Sequence, residues 1–179
     1  MNFRTFGPFP IALDEHGNIP QSMNEFWKSV NSSHTGLSEA RGCYVFGINS
    51  SGSKRILPWY VGMTNRQSFE FECFKSHQRN HYSRAINHYR RARAHLYVIA
   101  QLAESGKFYR GTAGKAIMFL ETYLIGFALY ANEDLLNKRD TKLYRELVVP
   151  GFLNSKTGNP GKPATELRRT FYFDLAAEH

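Results

Sequence analysis

Along this chain, runs of β-branched and aromatic residues alternate with stretches of helical period, and their order predicts the architecture. Cys43-Tyr44-Val45-Phe46-Gly47-Ile48 reads as a strand, Asn49-Ser50-Ser51-Gly52-Ser53 as a hairpin loop, and Ile56–Val61 as the returning strand. A helical region from about Asn80 to Arg93 follows, then a strand over Leu96–Ala100 and a loop from Glu104 to Gly114. A long helix then runs from about Lys115 to Ala131. Ahead of the hairpin, Ser22-Met23-Asn24-Glu25 has capping-box spacing and opens a short helix through about Val30, which Asn31–Gly36 ends. Residues 1–20, punctuated by Phe, Pro and Gly, are expected to wrap the surface of the core. Beyond the long helix the pattern loosens into Pro150-Gly151 and a Gly-, Pro- and Lys-rich segment over 155–163. Ala164–Arg169 reads as a helical turn before Phe171-Tyr172-Phe173. The order β-β-α-β-α predicts an α+β fold, with a small three-stranded, mainly antiparallel sheet flanked by helices.

Composition narrows the class. The 179 residues suit a single domain over 1–179, and neither an internal repeat nor a biased linker divides them. With 42% hydrophobic and 21% charged residues, wholesale disorder is excluded. Cys43 and Cys73 have no metal-ligand spacing, which excludes a disulfide scaffold or zinc finger. The first residues run into Asp14 and Glu15 without an apolar segment, and Ala116–Ala131 is short and interrupted by Glu121. The expectation is therefore a soluble, intracellular (cytoplasmic) protein with no membrane partner. Lys and Arg number 23 against 15 acids, a net charge of +8, which favours a polyanionic partner, nucleic acid before anionic membrane.

Three features carry chemistry. The first is Gly42-Cys43-Tyr44 with Tyr60-Val61-Gly62, which on one hairpin bring two phenols near each other at a sheet surface. The plain alternative is a pair of half-buried strand tyrosines. The second is the stretch Cys73–Ala103, which has no acidic residue and carries Lys75, Arg79, Arg84, Arg90, Arg91 and Arg93 with four histidines. Within it His77, His81, Arg84, His88 and Arg91 step by 4, 3, 4 and 3, the spacing of one helical face, beside an apolar stripe of Tyr82, Ile86 and Tyr89. A cationic face is usually just solvated, but the missing acids favour a phosphate-facing surface. The third is Glu121, in a helix apolar nearly all round, which reads as a buried helix. A carboxylate there needs a metal, a basic partner or solvent.

Taken in order, these residues resemble the GIY-YIG nuclease superfamily over about residues 40–140, leaving extensions at 1–39 and 141–179. Gly42-Cys43-Tyr44 corresponds to the first signature and Tyr60-Val61-Gly62 to the second. Glu121, in Phe119-Leu120-Glu121-Thr122-Tyr123, corresponds to the acidic residue of the family's helix, and Asn137 to its downstream Asn. The family's basic residue early on the first helix has no counterpart in Thr64–Glu72, where Arg66 is the lone cation. That stretch resembles an insertion, and Lys75, His77 and Arg84 are the candidates that spacing leaves open.

The resemblance implies phosphodiester hydrolysis in DNA with one divalent cation, Mg²⁺ or Mn²⁺, held by Glu121. Tyr44 is expected to orient or deprotonate the attacking water, with its pKa lowered by Lys75, His77 or Arg84. Tyr60 is expected to hydrogen-bond in that network and Asn137 to brace it or contact phosphate. His81, Arg84, His88 and Arg91 are expected to meet the DNA, a homodimer being one way to cut both strands. The alternatives are a catalytically inert nucleic-acid-binding module on the same scaffold, favoured by the displaced helix motif, and an unrelated basic RNA-binding or structural domain.

Overall fold

The computed structural model describes residues 1–50, 52–64, 66–89, 91–111, 114–138, 141–150 and 161–170. Its elements are β1 (Asn2–Ile11), α1 (Asn24–Ser33), β2 (Gly42–Ser50), β3 (Leu57–Met63), α2 (Phe69–Glu72), α3 (Ser76–Ile86), β4 (Ala92–Leu102), α4 (Lys115–Ala131), α5 (Thr141–Glu146) and α6 (Lys162–Thr170). Two compact units divide the chain, Met1–Asn137 and Lys138–His179. The first holds the sheet and α1–α4, and the second holds α5 and α6. Ser51, Asn65, Arg90 and Phe171-Tyr172-Phe173 lie outside the described residues, as does most of the Gly- and Pro-rich tail segment.

The α+β class is as expected, but the sheet has four antiparallel strands among the described residues, in the order β1-β4-β2-β3. The added strand is β1, in the segment expected to wrap the surface. It pairs with β4 from Asn2↔Leu102 to Ile11↔Ala94, and its register shifts between Phe6 and Phe9. That shift explains how Phe6 and Phe9, three apart, share one face of a strand, while Phe3, in regular register with Phe6, lies on the other. The irregularity at Gly7-Pro8 restores Phe9 to the inner face, and an edge strand tolerates proline, which cannot donate a ladder hydrogen bond.

Strand alternation sends side chains to two faces. On one, Tyr44, Phe46, Ile48, Leu96, Val98 and their β1 neighbours join Trp27 and Val30 of α1 and Tyr82, Ala85 and Ile86 of α3 in the main core. The Phe46 and Tyr82 rings stack there at 4.0 Å. On the other, Val45 and Val61 pack with Ile125 and Ala128 of α4. Cys43 and Cys73 are buried and unbridged.

Three local expectations are corrected. The N-cap of α1 is Met23 and has no side-chain cap bond, so Ser22 and Glu25 do not form a capping box. Helix α3 spans 76–86 rather than about 80–93. It closes through His88 N–H to Ala85 C=O and Tyr89 N–H to Ile86 C=O, and β4 draws Ala92 and Arg93 into pairing with Ser50 and Asn49. Arg91 is therefore off the helix. Helix α4 has the predicted span but is not buried all round. Ile117, Ile125 and Ala128 face inward, while Phe119 (73% exposed), Tyr123, Phe127 and Tyr130 lie outward.

Candidate functional site

The hairpin brings the two signature tyrosines to one face. Tyr44 lies opposite Gly62 and Phe46 opposite Tyr60, so both phenols point to the α3 side, their ring centroids 6.4 Å apart. The signature glycines have a steric reason. A Cβ on Gly62 would collide with the Tyr44 ring, and one on Gly42 would run into the Ile99 carbonyl. Gly42 is also tied to Thr64, which accepts its N–H through Oγ1 at 2.9 Å and donates its own N–H to the Gly42 carbonyl at 2.9 Å. These bonds carry the pairing of β2 and β3 one step past Met63.

Helix α3 covers the pair. Gln78 Nε2 donates to the Tyr44 hydroxyl at 3.2 Å, and Gln78 is itself buried. The Gln78 carbonyl oxygen, Oε1, has no hydrogen-bond partner. Tyr82 donates its hydroxyl to the Cys73 carbonyl at 2.8 Å. His81 stacks on Tyr60 with centroids 5.3 Å apart, and His88 tilts over Trp59 at 4.8 Å. The face read as cationic thus leans over the aromatic residues of the edge strand β3. His77 and Arg84 are exposed on α3, and His88 and Arg91 are exposed beyond it.

The expected lowering of the Tyr44 pKa is corrected. Tyr44 is 1% exposed, and burial first, then the neighbouring Cys73 and Tyr60, holds its hydroxyl well above the ordinary phenol value. Lys75 does not offset this, because its Nζ pairs with Glu72 Oε2 at 2.7 Å. The Glu72 side chain is mostly buried, and its charge opposes ionisation of both Tyr44 and Tyr60. Burial, then Glu121, then Glu72 push Tyr60 up to about 12. Burial raises the Cys43 thiol too, with Glu121 as the second cause. Both effects put the half-buried Glu121 within electrostatic reach of Tyr60 and Cys43. Cys43 itself faces α4, where its Sγ lies 3.4 Å from the Ile117 carbonyl.

Asn137 is buried and pairs with the outer edge of β3. Its Oδ1 accepts Val61 N–H at 2.9 Å and its Nδ2 donates to the Val61 carbonyl at 2.7 Å, as a further strand would. It therefore ties down the backbone of the residue after Tyr60. Gln78 and Glu72 were not singled out from sequence. Gln78 had a signal, being a polar residue on the stripe that continues through Tyr82 and Ile86. Glu72 lay in the stretch that resembled an insertion.

Among the described residues, no three of His, Cys, Asp and Glu are grouped so as to hold a metal ion, and no helix is long and apolar enough to cross a membrane. No family model, curated protein or solved structure matches the chain.

An alkaline titration tests this packing. The folded state holds the Tyr60 proton to about 12, whereas an unfolded phenol releases it near its reference value of about 10. In that window the unfolded chain binds fewer protons, so stability is full below pH ~10 and falls as pH rises toward 12. Tyr44 and Tyr82, raised by burial, add to the same loss. Ionisation of Tyr44, Tyr60 and Tyr82, followed by tyrosinate absorbance, should therefore coincide with loss of near-UV circular dichroism. Ionisation of Tyr44, Tyr60 and Tyr82 near the ordinary phenol value, with the fold intact, would contradict the burial.

Proposed function

We propose that this chain is a GIY-YIG-type, metal-dependent endonuclease that hydrolyses DNA phosphodiesters. The observation that carries the reading is the pair Tyr44 and Tyr60 on one face of the hairpin, with the charge of Glu121 reaching Tyr60 and α3 laid across the pair. Glu121 fits Mg²⁺ or Mn²⁺ as a lone hard-oxygen ligand, because Mg²⁺ commonly takes only one or two carboxylates and keeps several waters for exchange with phosphate oxygens. When bound, such a cation offsets charge on the phosphoryl group and on the leaving 3′ oxygen.

The chain's own residues divide the remaining work. Tyr60, protonated at neutral pH and half-buried, donates a hydrogen bond that orients the water or a phosphate oxygen. His81, stacked on Tyr60, accepts the proton of the attacking water as its oxygen bonds to phosphorus. The bond to the 3′ oxygen breaks, and that oxygen leaves with a proton from solvent. Tyr44 is a positioning residue, held by Gln78. Arg84, His77, His88 and Arg91 meet the phosphates, while Lys75 is engaged by Glu72. The burial of Tyr44 and the neutralisation of Lys75 favour one other reading, an inert nucleic-acid-binding module.

Supercoiled plasmid separates the two. The nuclease nicks or linearises it with Mg²⁺ and not with EDTA, whereas the inert module binds it and leaves it intact under both conditions. For either, replacing Arg84 and Arg91 together by Ala should weaken DNA binding and shallow the log–log salt slope by about one to two units. An unchanged slope would remove these residues from the DNA surface.

A further inference from the structure

We propose that the cavity between β1, the end of α1 and the turn after β4 binds a nucleotide, an aromatic base carrying a phosphate, either free or as an unpaired unit of a nucleic-acid strand. Arg4, Phe6, His34, Lys107, Phe108 and Arg110 line it, and its volume is about 600 Å³. That size lies within the range of small-molecule sites, roughly 300–1,000 Å³. It lies on the same sheet face as the tyrosine pair but over the opposite edge, and it shares no residue with that cluster.

Ring contacts and a tight turn order its walls. Phe6 meets His34 at 4.9 Å and Phe108 at 5.5 Å, both edge to face, so Phe6 braces the two flanking rings. Phe108 is returned to β4 by a tight turn, in which Ala103 N–H bonds to the Lys107 carbonyl and Gly106 N–H to the Ala103 carbonyl, each at 2.9 Å. A bridge between Leu102 and Phe108 closes the turn. Phe6 and Phe108 are half-buried, which leaves ring surface open to the cavity. The rim carries Arg4 and Lys107. None of the described lining residues is acidic; of the carboxylates nearby, Glu39 pairs with Arg110 at 2.9 Å and Glu104 is exposed in the turn.

The combination selects the ligand class. A bare phosphate uses only the cationic rim, and an apolar ligand only the rings. A planar base with a phosphate uses both, by stacking and by charge-assisted hydrogen bonds. A paired base cannot offer its face to a cavity, so a strand must present an unpaired nucleotide.

The test titrates the full chain with AMP and with inorganic phosphate by calorimetry, and with a fluorescein-labelled twelve-nucleotide single strand and its duplex by anisotropy. AMP is expected to bind at least tenfold more tightly than phosphate if the free nucleotide is the ligand. A single strand that binds without detectable AMP binding assigns the cavity to unpaired nucleotides. In either case Arg4→Ala with Lys107→Ala should weaken that ligand at least tenfold with unchanged circular dichroism, and Phe108→Leu should weaken it several-fold. The proposal is overturned by phosphate binding as tightly as AMP, or by an unaffected Arg4→Ala/Lys107→Ala or Phe108→Leu variant. An equal loss of duplex and single-strand binding in the double variant also overturns it.

Discussion

Glu121→Gln is expected to abolish Mg²⁺-dependent plasmid cleavage while leaving the protein folded and bound to DNA. The substitution keeps the shape of the side chain and removes the charge that holds the cation. Raising Mg²⁺ should not restore activity. A second effect is independent of turnover. Because the Glu121 charge helps to push Tyr60 up to about 12, removing it should lower that phenol's titration toward the ordinary value. Wild-type cleavage by the variant would overturn the metal assignment and the nuclease reading built on it. A lower Tm with cleavage retained would instead identify Glu121 as a structural partner within the fold. An unshifted tyrosine titration would show that the charge does not reach Tyr60.

Asn137→Ala is the largest stability effect expected. The side chain satisfies both Val61 N–H and Val61 C=O at a buried strand edge, at 2.9 and 2.7 Å. Truncation leaves a buried donor and a buried acceptor unpaired, a cost of about 2–4 kcal/mol for the two. For a chain of this size that lowers Tm by roughly 5–15 °C. Asn137→Asp should be at least as destabilising at neutral pH, because its carboxylate still accepts Val61 N–H but is buried and repelled by the Val61 carbonyl, to which it has no proton to donate. Calorimetric melting of the three proteins decides the matter, and an unchanged Tm for Asn137→Ala would show that β3 does not depend on this clamp. Because Val61 follows Tyr60, the same variant is expected to lose activity along with the geometry of the tyrosine pair.

Much of the scaffold was legible because the signal is local. A two-residue period places Tyr44, Phe46, Leu96 and Val98 on one side of their strands whatever they pack against, and the observed register keeps them there. The span Lys115–Ala131 was readable as a helix because its apolar run contains no proline. Its environment was not readable. Phe119, Tyr123 and Phe127 recur every fourth residue and contact one another along the outer face, at 6.1 and 4.9 Å, which apolar composition alone does not distinguish from burial. β1 escaped notice because its phenylalanines recur by threes and prolines interrupt it, and only its edge position and register shift make it a strand.

The sequence by itself determined the order of strands and longer helices from β2 to α4, though not the short α2, together with the pairing of the two tyrosine signatures on one hairpin and the excess of positive charge from Cys73 to Ala103. These follow from backbone periods and composition, which act over a few residues. The tertiary structure alone decided that Tyr44 is sealed beneath α3, that Glu72 neutralises Lys75, and that Asn137 completes β3. It also assembled the cavity between Arg4 and Arg110. The bonds of Gln78 to Tyr44 and of Asn137 to Val61 join residues 34 and 76 positions apart. No local period encodes such a partner, because it depends on how the chain closes on itself and on which polar groups that closure removes from water.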